Sequence, residues 1–226
     1  KRQGREWTER ILKIAIPASL MSIIRVTSLM GFTIVLKMTS ESSTALAALR
    51  PGFSIESFAF MPAFGLSIAA SALVGQSLGM KDPKRAERLG WVAAHQAGIV
   101  SLVISVLLFV FADNLAAAIL PGDPEVAAVA ASYTRFMAST EVFFGYAMVL
   151  IGAMQGAGDT KRPMWISLIA LWGIRLPLAF ALALGFFGLA AMGADGAWLA
   201  MAITQLVQGL FAIHLFRAGA WKTVKV

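Results

Sequence analysis

The chain has 226 residues, of which 58% are hydrophobic and 14% charged, with a mean hydropathy of +0.77 and a formal net charge of +7. That balance lies outside the range of soluble globular domains and describes an integral membrane protein. The absence of cysteine excludes thiolate chemistry, and two histidines leave no basis for a metal site built on His or Cys.

The opening stretch, Lys1 to Arg10, is basic and amphipathic and does not resemble a signal peptide. It reads as an internal piece of a longer chain, or as a chain trimmed at that point. A helix needs about 20 mostly apolar residues to cross the hydrocarbon. Six segments meet that requirement: Ile11–Leu36, Leu46–Leu78, Leu89–Phe111, Val126–Met154, Met164–Phe187 and Ala197–Phe216. The expected fold class is therefore all-α, a polytopic bundle of six transmembrane helices. The second and fourth segments exceed a straight crossing and are expected to tilt, kink or project into water.

The first span carries Pro17 and Arg25, and the second carries Arg50, Glu56 and Pro62. A polar corner follows, in which Gly75, Gln76, Gly79, Asp82, Lys84 and Arg85 precede the third span. Glycine can take the left-handed conformation that ends a helix, and Asp82 before Pro83 fits an N-cap with proline in the first turn. After the third span, Ala112 to Val126 reads as a loop whose Pro121, Gly122, Asp123 and Pro124 open the next helix.

The fourth span contains Arg135, Glu141 and Phe144 and ends in a second corner, Gly152 to Pro163. Gly152, Gly156, Asp159, Lys161 and Arg162 repeat the spacing of Gly75, Gly79, Asp82, Lys84 and Arg85, so two equivalent turns are expected. Gly158, Asp159 and Thr160 could cradle a phosphate, but no strand precedes them and the spacing fits neither nucleotide fingerprint. The fifth span holds Arg175 and, two residues later, Pro177. Gly188 to Gly196 forms the last long loop, with Asp195 as the expected N-cap of a helix beginning near Trp198.

Lysine and arginine alternate in density along these connections. One side holds Lys1, Arg2, Arg5, Arg10 and Lys13, then Lys81, Lys84, Arg85 and Arg88, then Lys161 and Arg162, then Arg217, Lys222 and Lys225. The other side has Lys37 with Glu41, Asp113, Asp123, Glu125 and Asp195. Both ends and both glycine corners are therefore expected in the cytoplasm, with the chain spanning the inner, or plasma, membrane. The same pattern accounts for the positive charge through orientation and anionic lipid, and argues against nucleic acid as a partner.

Arg25, Arg50, Glu56, Arg135, Glu141 and Arg175 lie within spans, where a charge costs a few kcal/mol unless it meets a partner or water. Arg50, Glu56 and Arg135 lie nearer the outer surface, within reach of headgroups. Two arrangements are compatible with the rest. Either the charges are neutralised in pairs, such as Arg25 with Glu56 or Arg175 with Glu141, or they line a wet cavity whose carboxylates receive a cation or a proton. Pro17, Pro62 and Pro177 mark where helices can bend. Met30, Phe58, Met61, Phe64, Phe143, Phe144 and Met148 could form a soft wall for lipophilic ligands, although lipid contact or core packing is the commoner use.

In order along the chain, several pieces resemble the C-terminal lobe of the multidrug and toxic compound extrusion family of secondary transporters. They are Ile16-Pro17, Arg50 to Pro62, Val74-Gly75-Gln76-Ser77-Leu78-Gly79, Gln155 to Thr160, Arg175-Leu176-Pro177, Gly196 to Ala200, and Arg217 to Lys222. The family's twelve helices form two pseudo-symmetric lobes, so the resemblance implies that residues 1–226 are helices seven to twelve, with the N-terminal lobe absent. It also implies that organic, often cationic compounds are exchanged for inward H⁺ or Na⁺ by alternating access, with the missing lobe, membrane lipids and a small-molecule substrate as partners.

Sodium-coupled relatives carry acids where this sequence has Arg25 and Phe144, with Glu141 one turn before Phe144. The resemblance therefore favours H⁺ as coupling ion, with no cofactor and no metal. The cavity residues expected are Glu141 and Glu56, with Arg25 and Arg175 as charge partners and Phe144 beside them. Gly75, Gln76, Gly79, Gly156, Gly158, Asp159, Pro17, Pro62 and Pro177 serve as hinge and structural positions. A lipid-linked oligosaccharide flippase of the same superfamily is the alternative, on the strength of Arg25 and Arg175. A membrane enzyme would need a converging nucleophile and base, which His95 and His214 do not supply, so no catalytic residue is assigned.

Overall fold

The computed structural model describes residues 2–186 and 190–224, with no side chain before Ile11 other than Thr8. Lys1, Phe187, Gly188 and Lys225 lie outside the described residues, as do the side chains of Arg2, Arg5 and Arg10. Eight α-helices are described: α1 Arg2–Lys37, α2 Ser42–Gly79, α3 Pro83–Val110, α4 Ala112–Ile119, α5 Pro124–Gly156, α6 Lys161–Leu168, α7 Leu176–Leu184 and α8 Gly193–Ala218. A π-helical turn, Ile169–Arg175, joins α6 to α7, so that Lys161–Leu184 forms one span among six helical segments long and apolar enough to cross a membrane.

Helix α5 is the centre of the bundle, packing on α2, α3, α4 and α8, while α1 leans mainly on the fifth span. Helices α2 and α5 run parallel and touch backbone to backbone at the end that carries the glycine corners. A Cβ added to Gly156 would lie 2.1 Å from the Ser71 carbonyl oxygen, and one on Gly75 would lie 2.8 Å from the Gly156 carbonyl oxygen. Ser67 Oγ donates to the Met148 carbonyl at 2.9 Å along the same seam. Small residues four apart on both helices thus permit the approach, the arrangement that replaces hydrophobic driving force inside lipid. Gly75 and Gly156 are contact residues within helices and not left-handed caps.

The two corners are the same structure built twice. At the first, Lys81 N–H donates to Leu78 O and Asp82 N–H to Ser77 O; at the second, Gly158 N–H donates to Gln155 O and Asp159 N–H to Met154 O. Each aspartate then accepts from the backbone N–H three residues on, Arg85 at 2.9 Å and Arg162 at 3.2 Å. Each is thus a Schellman motif with one left-handed residue, followed by an aspartate cap. The left-handed position is Gly158 (φ 85°) in one corner and Lys81 (φ 58°) in the other, so Gly79 is not the cap there. Lys81→Gly is expected to stabilise the first corner and Gly158→Ala to weaken the second, each by about 1 kcal/mol. Thermal unfolding of the two variants in detergent should move in opposite directions; a shift in the same direction would count against equivalent corners.

Two expectations for the opposite end change. Ala112 to Ile119 is a helix and not loop, because Ala112 and Ala116, four apart, bury against Leu108 and Ala127. Its Asp113 pairs with Arg135 at 2.5 Å, both side chains exposed. The last helix starts at Gly193, before Asp195, whose carboxylate accepts from Ser132 Oγ at 2.5 Å and does not serve as the N-cap. Pro17 and Pro62 lie inside unbroken helices, whereas the helix ahead of Pro177 changes its winding.

Candidate functional site

A cavity of about 430 Å³ opens at mid-height of the spans, where α1, α2, α5, the π turn and α8 face one another. Arg25 comes from α1, Glu56 from α2, Phe144 from α5, Arg175 from the π turn, and Gln205 and Gln208 from α8. Each lies near the middle of its span, so the polar side chains share one depth. The apolar wall includes Phe60, which stacks on Phe64 and tilts against Phe144 with ring centres 6.2 Å apart.

Glu56 faces inward and does not reach toward headgroups, which corrects the expectation from its position. One carboxylate oxygen accepts from the Tyr133 hydroxyl and the other from Gln205 Nε2 at 3.0 Å. Gln205 Oε1 in turn accepts from Thr140 Oγ1 at 2.8 Å. Three spans are therefore tied through one carboxylate. Tyr133 is fully buried and packs edge-on against Trp198 and Phe53. Gly52 lies against it, since a Cβ there would come within 2.4 Å of the ring.

Arg175 owes its place to the π turn, a feature that clusters at functional sites. Proline at 177 has no N–H and crowds the carbonyl four residues back, so the wider winding ahead of it relieves the helix. Neighbouring side chains secure the altered backbone: Ser28 Oγ donates to Leu171 O at 3.1 Å and Trp172 Nε1 to Ile24 O at 3.3 Å. Leu171 and Arg175, both on this turn, line the cavity.

The anticipated ion pairs do not form. Among the described residues the salt bridges are Arg135–Asp113, Arg162–Asp159 and Lys222–Glu87, and none involves Arg25, Arg175, Glu56 or Glu141. Arg175 is attracted by Glu56 at longer range and repelled by Arg25, the reverse of the pairing read from the sequence. Glu141 does not line the cavity. It is fully buried in α5, neither oxygen has a hydrogen-bond partner among the described residues, and the charge acting on it is that of Glu56, of the same sign.

Four of the five residues expected in a cavity therefore share one, and Glu141, one turn from Phe144 on α5, does not line it. Tyr133, Thr140, Gln205 and Gln208 were missed. Gln205 and Gln208, three apart in an otherwise apolar last span, were the signal available. Gln76 is exposed at the corner, and Asp159, 4% exposed, is held by Arg162. His95 Nδ1 donates to the Trp91 carbonyl at 2.6 Å and its ring packs on Tyr146, on an exposed part of α3 away from the cavity.

Residues 17–181 match the family model described as MatE. The probable multidrug resistance protein NorM of Thermotoga maritima is 27% identical over 222 residues, covering 96% of this chain and 46% of that protein. The NorM of Brucella suis biovar 1 is 30% identical over 176 residues, covering 76% of this chain and 36% of that protein. The chain thus spans half or less of the length of the curated relatives it matches. Among solved structures, a MATE protein in complex with MaL6 superposes with a TM-score of 0.87 at 17% identity, covering 97% of this chain and 49% of the other. A MOP superfamily transporter from Pyrococcus furiosus, described as having a binding pocket of reverse polarity that suggests a different function, gives 0.73 at 23% identity, covering 91% and 44%. With six membrane-length helices and a match over most of its residues, this chain belongs to the MatE family of multi-pass membrane transporters.

Proposed function

We propose that the chain is the second six-helix lobe, helices seven to twelve, of a secondary exporter that moves organic compounds out of the cell in exchange for inward protons. The observation that carries this reading is the mid-depth cavity with its Glu56–Gln205–Thr140 network, together with the unpartnered Glu141 buried in α5. Polar groups at that depth are expensive and mark a pathway or a relay. The names of the similar proteins support efflux of drugs as the task. Guanidinium and phenyl groups stand at the positions that resemble the acids of sodium-coupled relatives, which supports H⁺ as the coupling ion.

The basic residues Lys84, Arg85, Arg88, Lys161, Arg162 and Arg217 gather at the corner end, which supports a cytoplasmic placement of that end in the plasma membrane. A lobe of this kind works against its counterpart, rocking around a site at the bilayer centre. The exposed apolar faces of α1 and α2, among them Ile23, Met30, Phe58 and Met61, suit lipid and that second lobe.

The test is transport by the full-length protein in proteoliposomes under an imposed pH gradient, using a panel of cationic and anionic amphiphilic dyes. Gradient-driven movement of at least one dye, abolished by a protonophore, is the expected result. A panel that moves equally fast with and without the gradient would sink the proton-coupled reading.

A further inference from the structure

We infer that the cavity of this lobe receives an amphiphile with an anionic head, a carboxylate or a phosphate, and not a cation. The inference rests on the transport reading above and narrows its substrate class.

The charges on the wall are two guanidiniums, Arg25 and Arg175, against one carboxylate, Glu56, a surplus of one positive charge. The hydrogen-bonding capacity is more lopsided still. Both oxygens of Glu56 already hold donors, from Tyr133 and Gln205, and Gln205 spends its own oxygen on Thr140. Each Glu56 oxygen keeps room for one further donor, so an incoming ammonium would have to share that carboxylate with Tyr133 and Gln205, or turn to the neutral amide of Gln208. The donor side is open: among the described residues Arg25 forms no hydrogen bond or ion pair, and Arg175 Nε is buried without a partner.

Two like charges that repel each other across a cavity in the membrane are costly, and the guanidinium fork matches carboxylate and phosphate oxygens in pairs. An anion placed between them relieves the repulsion and supplies the missing acceptors. Phe60, Phe144 and Met148 on the same wall receive the apolar part of such a molecule. Glu141 does not alter the balance, because it does not reach the cavity.

An anionic head can be carried by a soluble amphiphile or by a membrane lipid, and the measurement separates the two. The full-length protein in nanodiscs is titrated with carboxyfluorescein, with a polyprenyl diphosphate as competitor, and in parallel with ethidium. Carboxyfluorescein is expected to bind more tightly than ethidium, and Arg25→Gln and Arg175→Gln to weaken it about tenfold each, the effect of losing a charge-assisted contact. Arg25→Lys should restore part of the affinity. Arg135→Gln, whose guanidinium sits on Asp113 outside the cavity, should leave binding unchanged. Binding of polyprenyl diphosphate with the same arginine dependence, but not of carboxyfluorescein, assigns the head to a lipid and supports the same chemistry. Tighter binding of ethidium, or anion binding indifferent to Arg25 and Arg175, overturns the inference while leaving gradient-driven export of cations intact. The readout is binding, so a failure of the transport assay bears on the exporter reading alone.

Discussion

Gly156→Ala is expected to lower the thermal stability of the lobe more than any other single methyl added to it. The new Cβ would stand 2.1 Å from the Ser71 carbonyl oxygen and 2.6 Å from its carbon, both backbone atoms that no rotamer change can clear. Overpacking a tight contact costs about 1–3 kcal/mol where side chains can shift, and this contact leaves only helix displacement. Helix α2 carries Glu56, and α5 carries Tyr133 and Phe144, so separating the helices would also loosen the cavity. Gly79→Ala is the matched control: it holds the equivalent position in the first corner with nothing within 4 Å of its Cβ, and replacing a helical glycine there stabilises by about 0.5–1 kcal/mol. Unfolding followed by fluorescence-detected size exclusion should show a clear fall for Gly156→Ala and none for Gly79→Ala. Similar melting of the two variants would mean that the corner glycines are kept for something other than close approach.

The contrast between these two glycines shows what could be read from the chain alone. Spacing revealed that the corners repeat, because local capping chemistry is written in consecutive residues: Asp82 and Asp159 cap as their neighbours dictate. Spacing could not reveal that Gly156 meets Ser71, a contact between residues far apart in sequence. The same limit governed the charges. Hydropathy placed Arg25, Glu56, Glu141 and Arg175 in the membrane, since each interrupts an apolar run. Which of them turn toward a common space depends on helix rotation, and for Arg175 on a π turn of which Pro177 gave only an indirect sign. The ion pairs failed for that reason. Glu56 found neutral donors, Tyr133 and Gln205, whose polarity is unremarkable in a sequence but decisive once buried.

Glu141 should prove to be a residue whose loss helps the fold and harms the function. Its carboxyl is buried with both oxygens unpartnered and feels the charge of Glu56, so in the resting lobe it gains nothing from its surroundings. An unsatisfied buried polar group costs about 1–3 kcal/mol, and an apolar group of similar size often stabilises such a site. Glu141→Met is therefore expected to raise the melting temperature of the full-length protein. If Glu141 takes up and releases the coupled proton, the same substitution, and Glu141→Gln with it, should cut gradient-driven transport at least about tenfold, as for removal of an acid–base group. What transport remains should no longer vary with pH, and Glu141→Asp should recover part of it. Substrate binding should survive in all three variants, because the cavity wall is formed without Glu141. A Glu141→Gln protein that transports at the original rate with the original pH profile would remove this residue from the coupling path. Its unpartnered carboxyl would then call for an acceptor or donor supplied when the helices rearrange, and a Glu141→Met protein that is less stable than the original would point the same way.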